Sequence, residues 1–270
     1  MTSSKIAFVI SCLLLPTTFA AAQPFSIPIN TGYNYAGYGP YPPVTVPTSI
    51  TNDDYWINIA SYPVTGSAVK TAFVLESTPW PAPLLSSNWI GSRNSVLSDP
   101  TTNPSNPAYT IFRKCFCLAP NVIDPRITFD ARVDDNLQVW LNTQVQVLLP
   151  PQLGSIHSGG DQLLHSSPSN PVWFHVGLNC IYALVEDTFN GATAFNLAGT
   201  IQGAGSAPQV AFGVTQTFAC QCNTAAHSET PPELNGHVDN DDSEVVAALV
   251  QIAEERRLSR TRLVPISQHH

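Results

Sequence analysis

Strict alternation of apolar and polar side chains over residues 126–133 narrows the possible folds of this chain more than any other feature. Ile127, Phe129, Ala131 and Val133 fall on one side of an extended strand, and the residues between them are polar. A period of two with one polar side is typical of antiparallel sheets that pack one face inward. The segment that follows repeats the pattern, so we predict two such strands in succession.

Nine further segments have the same strand-like texture and are separated by clusters of Pro, Gly, Asn and Ser. Charged residues make up only 11% of the chain and apolar residues 43%, a balance that supplies a core and excludes a disordered protein. We predict an all-β fold, an antiparallel β-sandwich or jelly roll, over residues 52–222. The nine segments are 55–60, 70–75, 109–118, 137–141, 145–149, 172–176, 180–186, 195–201 and 209–222.

The first 22 residues have the pattern of a secretory signal peptide. Lys5 precedes an apolar run over residues 6–15, Pro16 ends it, and small residues before Gln23 offer a cleavage site. No later run is long and apolar enough to cross a bilayer. We therefore expect a secreted or cell-surface protein without a membrane span after cleavage.

Two segments flank the predicted sandwich. Residues 23–51 are rich in Pro, Tyr and Gly, and we interpret them as an extended arm that is either a linker or a docking element for a partner or another copy. Residues 223–243 are predicted to be a flexible acidic linker, residues 244–263 an amphipathic helix, and residues 264–270 a tail. The helix is short enough to be marginal alone, so it is either a docking element or an appendage.

Export changes the interpretation of the cysteines. Two C-x-C pairs occur, Cys115 with Cys117 and Cys220 with Cys222. Because residues i and i+2 of a strand share a face, the two pairs could form cross-strand disulfides or hold zinc through four thiolates. An oxidising compartment favours the disulfides. Cys180 then remains as an unpaired candidate: buried, free as a thiol, or paired between molecules.

An acidic turn follows the alternating strand. Asp134, Asp135 and Asn136 are predicted to form a turn, since Asp and Asn side chains bond to their own backbone. The alternative is an oxygen-rich cradle for a structural Ca²⁺ or for a ligand. Further calcium ligands would come from a later loop that contains Glu186, Asp187 and Asn190.

Two tryptophans are candidates for ligand contact. Trp80 lies in the sequence Pro-Trp-Pro-Ala-Pro, which predicts a stiff exposed loop. Trp140 falls on the polar side of its strand, where its ring could stack on a sugar or pack beneath a covering loop.

Sequence motifs for catalysis are missing. No G-x-S-x-G, H-E-x-x-H or P-loop pattern occurs. A hydrolase that used Asp134, Asp135 and Glu186 as paired carboxylates would need a cleft that fixes their separation. We predict a protein that is not an enzyme.

Several motifs together resemble a known family. They are Asn-Trp-Ile-Gly at 88–91, Tyr-Thr-Ile-Phe-Arg-Lys-Cys-Phe-Cys-Leu at 109–118, Phe-Asp-Ala-Arg-Val-Asp-Asp-Asn-Leu-Gln-Val-Trp-Leu-Asn at 129–142, Phe-His-Val-Gly-Leu-Asn at 174–179, and Val-Glu-Asp-Thr-Phe-Asn-Gly at 185–191. This series resembles the galactose-binding-like jelly-roll domain of exported bacterial surface proteins, many of which are sorted by a PEP-CTERM tail. The resemblance covers about residues 52–203, and no PEP-CTERM signal follows it.

The resemblance implies a secreted, non-catalytic module that binds carbohydrate or another surface polymer at the cell surface or in the extracellular matrix. The alternative is a structural subunit of an extracellular homopolymeric assembly or filament, linked to other copies through the arm, the C-terminal helix or the cysteines. Nucleic acid is not expected as a partner, because the net charge is −8 and the 11 Lys and Arg residues form no basic stripe. No cofactor is expected with certainty, and Ca²⁺ is the candidate.

Overall fold

A computed structural model describes residues 22–32, 52–62, 70–75, 80–92, 108–153, 162–187 and 193–210, together with residues 247, 251 and 255. The described part of the chain forms twelve β-strands and one short 3-10 helix, Pro171–Trp173. The strands are β1 Pro24–Pro28, β2 Asn52–Tyr62, β3 Lys70–Val74, β4 Ile90–Gly91, β5 Ala108–Leu118, β6 Ile123–Asp134, β7 Asn136–Leu141, β8 Val147–Leu153, β9 Leu164–His165, β10 Gly177–Asp187, β11 Ala194–Ala204 and β12 Gln209–Val210.

All of the strand pairs are antiparallel. The strands follow the order β8-β7-β10-β5-β2-β3-β4-β11-β6-β9, with β1 beside β11 and β12 beside β5. The short strands β3 and β4 connect a first layer, built on β7, β10, β5 and β2, to a second layer, built on β11 and β6. The predicted all-β antiparallel sandwich is confirmed.

The core lies between the two layers. Ile127, Phe129, Ala131 and Val133 of β6 are all buried in it, as their alternation predicts. Phe195 of β11 meets rings from the first layer, with its centroid 5.0 Å from Phe112 and 5.5 Å from Trp56. The apolar side of the strand pattern therefore decides which face of each sheet points inward.

The N-terminal segment belongs to the sandwich, which differs from the predicted boundary at residue 52. Strand β1 pairs with β11, with Pro24 opposite Ala204 and Pro28 opposite Thr200. Beyond β1 the backbone still bonds to β11, through Ile29 N to Gly199 O at 2.9 Å. An apolar residue every second position fits this strand into the sheet, although its prolines suggest an arm. The rest of the predicted arm, from residue 33, lies outside the described residues.

A disulfide joins the two central strands of the first layer. Cys115 of β5 pairs directly with Cys180 of β10 in the ladder, their Cα atoms lie 4.1 Å apart, and the two sulfurs are bonded. The prediction that Cys180 is left over is therefore wrong, as is the assignment of Cys115 to the C-terminal pair. Cys117 also forms a disulfide, whose partner lies outside the described residues, as do Cys220 and Cys222.

One further prediction differs from the structure, and the C-terminal predictions lie mostly outside the described residues. The strand predicted over 172–176 is replaced by the 3-10 helix, because Pro171 starts that helix and the side chain of Asn170 caps it. Within the predicted helix over 244–263, only the isolated residues 247, 251 and 255 are described, each with helical backbone. The linker and tail predictions lie outside the described residues. None of the helices in the described part could span a membrane.

Candidate functional site

Four acidic side chains meet at one edge of the sandwich. The turn from β6 to β7 carries Asp134 and Asp135, and strand β10 ends beside it with Glu186 and Asp187. The ladder fixes this meeting, since Glu186 pairs with Asn136 of β7. We call Asp134, Asp135, Asn136, Glu186 and Asp187 together the acid site. The structure thus places Glu186 and Asp187, two of the predicted calcium ligands, beside the acidic turn.

The four acidic side chains are buried. Asp134 is 5% exposed, Asp135 2%, and Glu186 and Asp187 1% each. Glu186 is held by hydrogen bonds: the Tyr109 hydroxyl donates to Oε1 at 3.3 Å, and Nδ2 of Asn136 donates to Oε2 at 3.1 Å. A buried carboxylate needs such donors or a cation to offset the loss of water.

Trp80 is part of this site rather than an exposed contact. Its indole Nε1 donates to Oδ2 of Asp134 at 2.7 Å, and its ring lies 4.8 Å from that of Trp89. With 8% of its surface exposed, Trp80 cannot offer a face to a sugar, so the prediction of an exposed loop contact is wrong.

Asp134 has an unusual electrostatic environment. Burial raises the pKa of its carboxyl to about 7, helped by a side-chain hydrogen bond with Asp135 and by the negative charges of Asp135 and Asp187, while the Trp80 indole lowers it. Its Oδ1 accepts no hydrogen bond from any described residue. The backbone carbonyl of Asp134 accepts one from the Thr193 hydroxyl at 2.9 Å. The turn is therefore tied to Thr193, and one buried carboxylate oxygen is left without a donor among the described residues.

The donor atoms suit a hard cation. Ca²⁺ takes six to eight oxygen ligands, and carboxylates, carbonyls and water are its usual set. Asp134 and Asp135 supply adjacent carboxylates. The described residues contain no group of three or more His, Cys, Asp or Glu side chains arranged to hold a metal ion. Asn190, the predicted ligand from the later loop, lies outside the described residues.

Trp140 faces away from the core, as its place in the strand predicts, and yet it is only 1% exposed. It belongs to a second apolar cluster on the outer face of the first layer, together with Tyr182 and the Cys115–Cys180 disulfide. Packing, the alternative that the sequence left open, is what the structure shows, and Trp140 is not accessible to a ligand.

A second group of buried ionisable side chains lies among the aromatic residues of the core. The Asp53 carboxylate accepts backbone hydrogen bonds from Gly32 at 2.6 Å and from Tyr55 and Trp56 at 2.9 Å each. Burial raises the pKa of Asp53 to about 6 and lowers that of Lys114 to about 8, and each residue's charge opposes the other's shift. Nζ of Lys114 lies 4.9 Å from the centre of the Tyr55 ring.

Comparison with known proteins assigns the chain to no family. No family model and no curated protein matches the chain. Among solved structures, a chain described as a PA14 sugar-binding domain from an RTX adhesin matches with 15% sequence identity and a TM-score of 0.21, over 40% of this chain and 52% of that chain. The chain thus spans about half the length of that structure. The present chain is an all-β sandwich protein. Its relation to the galactose-binding-like surface domains stays a prediction.

Proposed function

We propose that this chain is a secreted, non-catalytic sandwich module that binds carbohydrate at a cell surface or in an extracellular matrix. In this proposal a Ca²⁺ ion held at the buried acid site is structural: it orders the acidic turn of the module. The observation that carries the proposal is that the adjacent Asp134 and Asp135 are both buried, and that Oδ1 of Asp134 has no hydrogen-bond partner among the described residues.

Burying the carboxylates of the acid site together costs folding free energy. Like charges that are buried together repel one another, and removing them from water costs several kcal/mol per ion unless hydrogen bonds or counter-ions offset it. The raised pKa of Asp134 is the expression of that cost. Groups shifted in this way concentrate at functional sites. A divalent cation would offset the repulsion of Asp134 and Asp135 directly.

Two carboxylates leave most coordination positions of Ca²⁺ to water and to backbone carbonyls. Asp134 and Asp135 would hold the ion, Trp80 would fix Asp134 through its hydrogen bond, and Glu186 would keep the turn in place through Asn136.

Secretion is proposed on two grounds. The first 22 residues have the composition of a signal peptide. Cys115, Cys117 and Cys180 are all disulfide-bonded, which suits an oxidising compartment.

Titration calorimetry on residues 23–270 tests the proposal. We expect Ca²⁺ to bind, Asp134→Asn and Asp135→Asn to weaken binding at least about tenfold, and the exposed control Asp124→Asn to leave it unchanged. Glycan binding on an array should then require Ca²⁺ and vanish with a chelator. Absence of Ca²⁺ binding, or glycan binding that ignores the chelator and both variants, would overturn the proposed role of the acid site.

The assembly alternative remains a prediction. Strand β1 is paired within its own chain, so residues 24–28 are already occupied in the sheet. Self-association would have to use other segments, and the mass of residues 23–270 in solution, with and without reductant, tests it.

A further inference from the structure

We propose that the outer face of the first layer is a docking surface for the chain that follows β12, residues 211–222, and that a disulfide of Cys117 holds this segment there. The docked segment covers the bond between Cys115 and Cys180. This inference goes beyond the proposed function, and it uses neither the acid site nor a ligand.

The outer face of the first layer is apolar and buried. Cys115, Cys180 and Tyr182 lie on it, and each is at most 7% exposed. Every described member of this apolar cluster belongs to β2, β5, β7, β8 or β10, which lie side by side in one layer. Side chains on the outer face of one sheet become buried when further chain packs over them. We therefore look for the cover among the residues that follow the described strands.

Cys117 points to the same outer face. It lies two positions after Cys115 on β5, and the ladder between β5 and β10 is continuous there, so both sulfurs leave the sheet on one side. Cys117 is disulfide-bonded, and its partner lies outside the described residues. In a mature chain without the signal peptide, the remaining cysteines are Cys220 and Cys222. The bond of Cys117 thus brings one of these two cysteines to the outer face.

Both ends of the segment are fixed near Cys117. Strand β12 pairs with β5, with Gln209 opposite Cys117 and Val210 opposite Phe116. The chain therefore leaves β12 beside the same cysteine to which the C-terminal cysteine pair returns. A stretch of about ten residues that starts and ends at one place reaches roughly 15 Å outward at most. Neighbouring strands lie about 4.8 Å apart, so the segment reaches β10 and covers Cys180.

The sequence of the segment suits an apolar docking surface. Phe218, Cys220 and Cys222 occupy alternate positions, and the polar Thr217 falls on the opposite side. In an extended chain the phenylalanine ring and both sulfurs therefore share one side. The bond to Cys117 turns that side toward the sheet, so Phe218 packs on the apolar face.

Peptide mapping and thiol counting test the tether on residues 23–270, produced in an oxidising compartment. The chain has 6 cysteines, and without Cys12 of the signal peptide their number is odd. With Cys115 bonded to Cys180 and Cys117 to one of the C-terminal pair, one thiol remains. We expect one alkylated cysteine per denatured, unreduced chain, at residue 220 or 222, and a peptide that joins Cys117 to that pair. A free Cys117, or a bond from Cys117 to a second chain, would overturn the proposal.

Reduction kinetics test the docking itself. The time course of alkylation of Cys115 and Cys180 in dithiothreitol measures how fast their bond opens. We expect Phe218→Ala and Cys117→Ser each to speed this reduction about tenfold, because the rate of thiol–disulfide exchange depends on access to the sulfurs. Thr217→Ala, on the other side of the same segment, should leave the rate unchanged.

Ile201→Val, a change in the core of β11, controls for a general loss of stability and should not speed the reduction. If Cys117→Ser does not fold, Phe218→Ala still gives the answer. Equal reduction rates in wild type and in Phe218→Ala would overturn the docking of this segment and leave another segment, such as residues 33–51, as the cover. Ca²⁺ binding should be the same in all of these variants, so the outcome is separate from that of the proposed function.

Discussion

The indole nitrogen of Trp80 donates a hydrogen bond of 2.7 Å to Oδ2 of Asp134, although the two residues are 54 positions apart in the sequence. This bond joins a proline-rich loop to the acidic turn and buries the tryptophan against Trp89. It also lowers the pKa of the Asp134 carboxyl, against the larger effects that raise it. Trp80 is therefore a positioning residue for the acid site.

Replacing Trp80 with Phe keeps an aromatic ring beside Trp89 and removes the hydrogen bond. We expect the pKa of Asp134 to rise above its present value of about 7, and Ca²⁺ affinity at neutral pH to fall, because more of the carboxyl is then protonated. Calorimetry at several pH values measures both effects. Trp89→Phe, which removes the bond from Nε1 to the Pro81 carbonyl, is the matched control. Equal Ca²⁺ affinity in wild type and Trp80→Phe across the pH range would contradict this role.

Stability without Ca²⁺ should fall as pH rises through the acidic range. The folded-state pKa values of Asp53 and Asp134, about 6 and about 7, lie above the ordinary value of 3.8, so the folded protein binds more protons than the unfolded chain between about pH 4 and 7. Melting temperatures should be higher at pH 5 than at pH 7.5 in a chelator. Asp134→Asn should remove part of this difference in melting temperature between pH 5 and pH 7.5. Addition of Ca²⁺ should raise the melting temperature at pH 7.5. A melting temperature that does not change with pH in the chelator would contradict the raised pKa values of Asp53 and Asp134.

Lys114 should make the stability of the fold rise with pH in the alkaline range. Its pKa is lowered from 10.5 to about 8, so the folded state releases its proton first, and stability should rise between about pH 8 and 10.5 by roughly 3 kcal/mol at most. Lys114→Met retains a long apolar stem and cannot titrate, so this rise should disappear in urea titrations of that variant. Arg126→Met, a change at an exposed residue, should leave the rise in stability unchanged. A rise of equal size in Lys114→Met would assign the effect to other groups.

Removal of the first strand should destabilise the whole sandwich. A chain that begins at residue 33 loses β1, the acceptor carbonyl of Ile29 for the Trp56 indole, and the Gly32 amide that binds Asp53. We expect a loss of several kcal/mol, since buried polar groups are left without partners. Urea unfolding followed by circular dichroism measures it, with a chain that begins at residue 23 as the control. Equal midpoints for the two chains would show that β1 does not contribute.

The disulfide between Cys115 and Cys180 closes a loop of 65 residues, so its removal should cost about 4 kcal/mol in the chain-entropy account. Cys115→Ser and Cys180→Ser should have similar effects, and the double variant should add little to either. Peptide mapping without reductant identifies the bond directly. A map that joins Cys115 to a C-terminal cysteine would refute the pairing.

The local pattern of the sequence predicts much of the fold. Ile127, Phe129, Ala131 and Val133 occupy the interior as their alternation requires, because the two faces of a strand are decided by a period of two. The acidic turn was also identified, since Asp134 and Asp135 follow the alternating strand immediately. What the pattern cannot give is the partner of each strand.

The incorrect predictions arise from that missing information. The two C-x-C pairs suggest each other as disulfide partners and leave Cys180 over, whereas the ladder places β10 directly beside β5. Trp80 was predicted to be exposed because prolines surround it, and its hydrogen-bond partner lies on another strand. Trp140 was correctly placed on the outer side of its strand, but the sequence gives no sign that this side is also covered.

The pairing of β1 with β11 has a consequence for how the chain matures. Strand β1 bonds to a strand that is synthesised much later, with Pro24 beside Ala204. Contacts so distant in sequence form slowly, and this one cannot form until β11 has been made. The backbone groups of β1 that bond to β11 therefore wait for their partners until late in the synthesis of the sandwich.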